Sequence, residues 1–360
     1  SSFTSTLIEN IKIRATGAAT IDFGDVTEFD SLEVNRTTAN LTLENIREID
    51  PITLDRVDDN ANVIFTYKSS VVEGLTDAVT ITIDNSANSG IVRVDGIETV
   101  NLVSTSSPQY DRTDADENGN ELTLDNAGSG SATEVVNISG AGDTTITATD
   151  ALTINNSSSG EVDLTGTAAT NYTHTGSGLL RITTGVADST TTASGTGALN
   201  FTDSQAGDTT VTGSSGDDAF NFGANLDTDD SVTGGTGTDT LTVTGDSITS
   251  AAAGDITVSG VETLHIDSDG TVTIDFDIFA NPAELATIVF DGAGDDHEVT
   301  LTDVQASVYT ISNANTAATN ALDFVTIDLK DQTGSADTIH IDLDQEQAGT
   351  VAGTLTDAFV

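Results

Sequence analysis

Two glycine-rich segments carry residue types and spacings suited to holding a metal ion. Gly234-Gly235-Thr236-Gly237-Thr238-Asp239-Thr240-Leu241-Thr242 fits the pattern G-G-x-G-x-D-x-U-x, where U is a large apolar residue, at every fixed position. Glycines let the backbone turn sharply and aim carbonyl oxygens inward. The Asp adds a charged oxygen, and the apolar residue that follows anchors a short strand in the core. Twenty-one residues earlier, Gly213-Ser214-Ser215-Gly216-Asp217-Asp218-Ala219-Phe220-Asn221 repeats the pattern with Ser214 in place of the second glycine. Clustered carboxylate and carbonyl oxygens are the ligands Ca²⁺ prefers. The plainer reading of the same residues is a Gly/Asp turn without metal.

A third segment offers the same chemistry by another route. Asp114-Ala115-Asp116-Glu117-Asn118-Gly119 has the D-x-[DN]-x-[DN]-G spacing of a calcium loop, in which Asp114, Asp116 and Asn118 converge on one ion and Gly119 permits the bend. The twelfth position is Asp125, shorter than the usual Glu, and Glu121 stands where an apolar residue is usual. The flanks read as strands, so this is an isolated calcium loop and not an EF-hand; the alternative is a solvated acidic loop. Asp227-Thr228-Asp229-Asp230 and Gly292-Ala293-Gly294-Asp295-Asp296 are weaker candidates of the same kind, for which plain surface turns are the favoured reading.

The paired glycine segments resemble the calcium-binding RTX repeats of type I-secreted bacterial proteins, including S-layer proteins with RTX-like β-rolls. In that family each ion lies between two such loops on successive coils. The resemblance therefore implies Asp218 and Asp239 as leading carboxylate ligands, with carbonyls of Gly213, Ser215, Gly234 and Thr236 completing the shell and Asp217 as a neighbouring candidate. The chain departs from the family in that only two repeats occur, separated by the insert Gly223–Ser231. That implies one or two ions and no long ladder of them.

Composition points the same way. The 360 residues carry 58 Asp+Glu against 10 Lys+Arg, a net charge of −48. So many carboxylates destabilise a compact state unless counter-charge is supplied, and ten basic side chains are too few to supply it. Divalent cations are the expected source, and the plainer alternative is a merely soluble acidic surface. The same charge excludes nucleic-acid binding, because nothing here neutralises a phosphate backbone. With no Cys there is no disulfide, thiolate metal site or cysteine nucleophile.

The elements that must position these residues read as short strands. Ile11–Arg14, Leu41–Leu43, Val63–Tyr67, Val79–Ile83, Ile91–Val94, Val272–Phe276, Val299–Leu301 and Phe324–Leu329 alternate apolar residues with Thr, Asp or Asn, the period of a half-buried strand. Helical patterning is confined to Asn281–Leu285 and Thr249–Gly254. The fold class is all-β. Apolar centres at Ile138, Ile146, Ile154 and Leu164, continued at Ile182, Phe201, Val211 and Phe220, keep a beat near nine. Two strands per coil of about 18 residues is what a parallel β-solenoid of the β-roll or β-helix kind requires. Solenoid modules are expected most firmly over residues 130–245. A β-sandwich with regular hairpins is the alternative.

Gly96-Ile97-Glu98-Thr99-Val100-Asn101-Leu102 matches Gly260-Val261-Glu262-Thr263-Leu264-His265-Ile266, with a distant version at Glu28–Val34. Loop-like stretches near Tyr110 and Gly245 divide the chain into an N-terminal β module (1–110), a solenoid module with the calcium loops (111–245) and a C-terminal β module (246–360).

Catalytic constellations are poor. His174, His265, His297 and His340 share no metal-ligand spacing, and there is neither a G-x-S-x-G elbow nor a P-loop lysine motif. A polysaccharide-active β-helix enzyme using paired carboxylates is the third reading, but aromatics make up 4% of the chain, too few for a sugar-stacking cleft. The expectation is a non-enzymatic structural protein of a bacterial cell surface, an S-layer lattice component that meets copies of itself through Ca²⁺ bridges. A calcium-dependent adhesin or biofilm-matrix module, contacting a surface polysaccharide or a host receptor, is the runner-up. No apolar run approaches the roughly 18–20 residues of a membrane span, so no membrane insertion is expected, and the resemblance implies an extracellular location on the cell surface. Ser1-Ser2-Phe3-Thr4 has no leader-like run and no initiator Met, as a processed or partial chain would; Leu355–Val360 faintly resembles the tail of type I secretion substrates.

Overall fold

In the computed structural model, residues 8–58, 61–106, 119–125, 133–148, 151–245, 256–267, 272–279, 284–291, 297–304, 309–313, 322–329 and 339–341 are described. Among them every strand pairing is parallel. Hairpins would give antiparallel neighbours, so the β-sandwich alternative is excluded and the chain is a β-solenoid.

The chain divides into two compact units, Ser1–Val186 with Ser194–Gly197, and Ala187–Ala193 with Ala198–Val360. In the first unit, one parallel sheet runs through Asn10–Ile13, Ser31–Asn35, Ile52–Asp55, Ala78–Asp84, Thr99–Ser106, Val135–Gly140, Thr153–Asn156 and Asn171–His174. The intervening strands, from Ala19–Asp22 to Leu180–Thr183, form the opposite sheet. In the second unit, Ser189–Ala193, Thr209–Thr212, Ser231–Thr233 and Thr257–Ser259 make one sheet. Leu199–Thr202, Ala219–Gly223, Thr240–Thr244, Thr263–Asp267, Thr287–Asp291, Tyr309–Asn313 and Ile339–Ile341 make another, and Val272–Asp275, His297–Val304 and Leu322–Leu329 a third. Pairing continues across Tyr110, where Val136 lies beside Val100, and across Gly245, where Leu241 lies beside Leu264.

Alternation in each strand sends every second side chain inward, and parallel register stacks like on like. Val100, Val136, Ile154 and Tyr172 form one such inward column in the first unit. Phe201, Phe220, Leu241, Leu264 and Ile288 form one in the second. Each buried Val, Leu, Ile or Phe stabilises the coil by about 1.5–3 kcal/mol. Coil length varies: Ile146 pairs with Leu164 and Leu164 with Ile182, 18 residues apart each time, whereas Ile52 pairs with Ile81 and Val100 with Val136.

The columns are interrupted by buried polar groups that satisfy backbone donors. Asn120, fully buried, accepts the N–H of Ser86 at 3.0 Å and donates to Ser104 Oγ at 2.8 Å. His174, also fully buried, receives Asn156 Nδ2 on its Nδ1 at 3.1 Å, a structural placement within the core. On the outer surface Asn101, Asn137 and Asn155 form an amide ladder with steps of 2.8 and 2.9 Å.

Candidate metal centre

A solenoid corner leaves the first N–H of a strand to be satisfied by something other than the sheet. In the second unit the partner is a carboxylate from the next coil. Leu199 N–H donates to Asp218 Oδ1 at 2.6 Å, Asp218 N–H to Asp239 Oδ1 at 2.8 Å, and Asp239 N–H to Glu262 Oε2 at 2.8 Å. Asp218, Asp239 and Glu262 thus stand in a column, one per coil, at the spacing of neighbouring strands, about 4.8 Å. Asp218 and Asp239 are buried, with 2% and 0% of their surface exposed.

The two glycine segments shape the pocket beside this column. A Cβ on Gly213 would lie 2.4 Å from Asp218 Oδ2 and 2.0 Å from the carbonyl oxygen of Gly234. A Cβ on Gly234 would lie 2.5 Å from Asp239 Oδ2 and 1.7 Å from the carbonyl oxygen of Gly260. Only glycine fits either place, because the next coil's backbone occupies the volume a side chain would need. The structure therefore brings Gly213, Asp218, Gly234 and Asp239 together.

The two carboxylates differ in what they already hold. Asp218 Oδ2 accepts the N–H of Ser214 at 2.6 Å, and its Oδ1 takes the Ser214 hydroxyl at 3.0 Å in addition to Leu199. Asp239 Oδ2 is buried and has no hydrogen-bond partner. Burial first, and then the charges of Asp218, Glu262 and Asp217, push the Asp239 carboxyl up to about 6, against the opposing pull of the Asp218 N–H. A buried, unsatisfied carboxylate oxygen among like charges is costly unless a proton or a cation meets it. On that ground Asp239 Oδ2 is an oxygen that a proton or a hard cation such as Ca²⁺ could meet.

Compared with known proteins, the chain matches no family model, no curated protein and no solved structure.

The remaining sequence candidates fall in different places. Asp217 is exposed, and its Oδ1 accepts the N–H of Thr238 at 2.8 Å on the outer side of the turn. Ser215 is exposed, and Thr236 donates its N–H to the carbonyl of Ser214 at 3.3 Å. Asp114, Asp116 and Asn118 lie outside the described residues. Asp125 is half-buried at the end of Asn120–Leu124, where its N–H meets the carbonyl of Val92 at 3.2 Å.

Other acids, weakly signalled or unsignalled in the sequence, are placed at similar corners. Asp230, in a segment read as a plain surface turn, is 2% exposed and accepts Thr209 N–H at 2.8 Å and Asp227 N–H at 2.7 Å. Burial, opposed by those two N–H groups and aided by the charges of Asp227 and Asp203, pushes its carboxyl up to about 6. Glu262 was visible only as part of a repeated heptamer. Asp275, Asp277 and Asp303 bring one carboxylate oxygen each within 4.8 Å of one another. Asp275 is exposed and caps a short 3₁₀ turn by accepting Asp277 N–H at 2.9 Å. No spacing rule reaches this trio, since Asp303 arrives through the pairing of His297–Val304 with Val272–Asp275.

Proposed function

We propose that the chain is a structural β-solenoid of a bacterial cell surface whose fold is completed by Ca²⁺, an S-layer-type lattice component and not an enzyme. The observation that carries this reading is the buried, unpartnered Asp239 Oδ2 in the Asp218–Asp239–Glu262 column, at the place where the sequence resembles RTX repeats. A chain with 58 acidic and 10 basic residues gains most from an ion that neutralises several carboxylates at once. Bridging of acidic faces by the same ion would then join copies of the chain. The test is light scattering and negative-stain microscopy of the purified chain as Ca²⁺ is added to EDTA-treated protein. Ordered sheets appearing with Ca²⁺ and dissolving in EDTA support the lattice; a chain that binds Ca²⁺ and stays monodisperse contradicts it.

One observation favours the adhesin as a second reading. The outward positions of Ser189–Ala193, Thr209–Thr212, Ser231–Thr233 and Thr257–Ser259 are all Ser or Thr, stacked in register as Thr190, Thr210, Ser231 and Thr257 beside Thr192, Thr212, Thr233 and Ser259. In so acidic a chain this uncharged hydroxyl face suits a neutral glycan. Saturable binding to neutral polysaccharide, lost in Thr210→Lys, supports it; no retention on any such polymer removes it.

A further inference from the structure

We infer that Asp77 and Glu98 form a second Ca²⁺ site, in the first unit, at a corner that lacks the glycine-rich pattern. The corner repeats the backbone plan around Asp239. Asp77 N–H donates to Glu98 Oε2 at 2.9 Å, as Asp239 N–H does to Glu262 Oε2 at 2.8 Å. The carbonyl of Asp77 accepts Thr99 N–H at 3.0 Å, as that of Asp239 accepts Thr263 N–H at 3.0 Å. Glu98 receives the N–H groups of Glu134 and Val135 on its carbonyl, and Glu262 those of Ala286 and Thr287. Gly96 and Gly260, two residues before each Glu, both take the left-handed conformation, at φ 80° and 61°. Asp77 therefore occupies in the first unit the place Asp239 occupies in the second.

What points to a ligand is the state of the side-chain oxygens. Glu98 is 4% exposed, and its Oε1 is buried with no hydrogen-bond partner. Asp77 Oδ2 is likewise buried and unpartnered. The hydrogen bond from Asp77 N–H holds the Glu98 carboxylate against the Asp77 backbone, and among the described residues neither acid has an ion pair. Two buried carboxylate oxygens at one corner, both without a hydrogen-bond partner, are costly unless something positive meets them. The oxygen-only donors select a hard cation, and Ca²⁺ tolerates the irregular, partly backbone-derived shells such corners offer. In the loop Val71–Thr76, a Cβ on Gly74 would come within 3.3 Å of Asp77 Oδ2.

The choice of ion rests on the calcium reading proposed above; the geometry stands on Asp77 and Glu98 alone. The test counts Ca²⁺ ions bound to the full chain by native mass spectrometry during a CaCl₂ titration. It compares the wild type with Glu98→Gln, Asp77→Asn and Asp239→Asn, each checked for native circular dichroism. Glu98→Gln and Asp77→Asn are expected to lose the same single ion, and Asp239→Asn a different one, so that the pair Glu98→Gln and Asp239→Asn loses two. If Asp239→Asn loses an ion while Glu98→Gln and Asp77→Asn keep the wild-type count, the second site is overturned and the calcium reading stands. If the wild type binds no Ca²⁺, both fall.

Discussion

The N–H of Asp218 donates to the carboxylate of Asp239 across 2.8 Å, one coil further along the chain. Each acid thus holds the backbone of the acid before it, and the column can be built only by placing carboxylates one strand spacing apart. The corner gains hydrogen bonds and accumulates like charge in the same step. Cation binding resolves that conflict, and the consequences can be measured.

Replacing Asp239 separates the two roles of its carboxylate. Asp239→Asn keeps an acceptor for Asp218 N–H and removes the charge, so stability in EDTA is expected to hold or rise while the second unit's response to Ca²⁺ disappears. Asp239→Ala also orphans the buried N–H, at a cost of about 1–3 kcal/mol. Chemical denaturation of both variants with and without Ca²⁺ checks the pair.

Gly234→Ala is expected to destabilise the second unit by about 1–3 kcal/mol or more, since its Cβ would meet the Gly260 carbonyl oxygen at 1.7 Å. Gly17→Ala is the control: nothing lies within 4 Å of its Cβ, and a change within about 0.5 kcal/mol is expected. Urea unfolding of the two variants side by side measures the contrast.

The pH dependence follows from Asp239, Asp230 and Asp50, each pushed up to about 6 chiefly by burial. Their folded values exceed the ordinary 3.8, so the folded state binds more protons than the unfolded one between the two. The stability that protonation contributes is complete below about 4 and is lost as pH rises through about 6. In EDTA the chain is therefore expected to melt higher at pH 4.5 than at pH 7.5. Millimolar Ca²⁺ should reduce that difference by taking the proton's place at Asp239. Thermal melts across this range, with Asp239→Asn reducing but not abolishing the pH dependence in EDTA because Asp230 and Asp50 remain, check the sign.

Much of the fold was legible because some coils keep a fixed length. Ile146, Leu164 and Ile182 recur at equal intervals and stack in register, so periodicity finds them. It fails between Val100 and Val136, where an insertion widens the interval although the pairing is of the same kind. Strand Ser189–Ala193 escaped notice because its inward residues are Ser189, Thr191 and Ala193, which have no apolar signal. Asp218 and Asp239 were legible because glycine spacing announces a tight corner. Glu262 was not, and Asp230 only weakly, since Glu262 and Asp230 each accept a backbone N–H from a residue a coil away. Nothing in a linear sequence distinguishes a carboxylate that reaches inward to an amide from one that faces water.

Buried polar pairing should be as consequential as the acidic corner. Asn120→Ala removes the acceptor for Ser86 N–H and the donor to Ser104, leaving desolvated groups that cost about 1–3 kcal/mol each. The variant is expected to lower the unfolding midpoint of the first unit whether or not Ca²⁺ is present. Melts in both conditions distinguish this from a metal effect.

The decisive measurement is thermal unfolding by circular dichroism, at neutral pH, of the wild type and Asp239→Asn in EDTA and then in millimolar Ca²⁺. An ion held at about a hundred times its dissociation constant adds about 2.7 kcal/mol, which for a unit of this size moves the midpoint by roughly 5–10 °C. The wild type is expected to show that rise, and Asp239→Asn a response smaller by about that amount, because only the Asp77–Glu98 ion then remains. Coincident wild-type curves in EDTA and Ca²⁺ would contradict calcium as the ion that completes this fold.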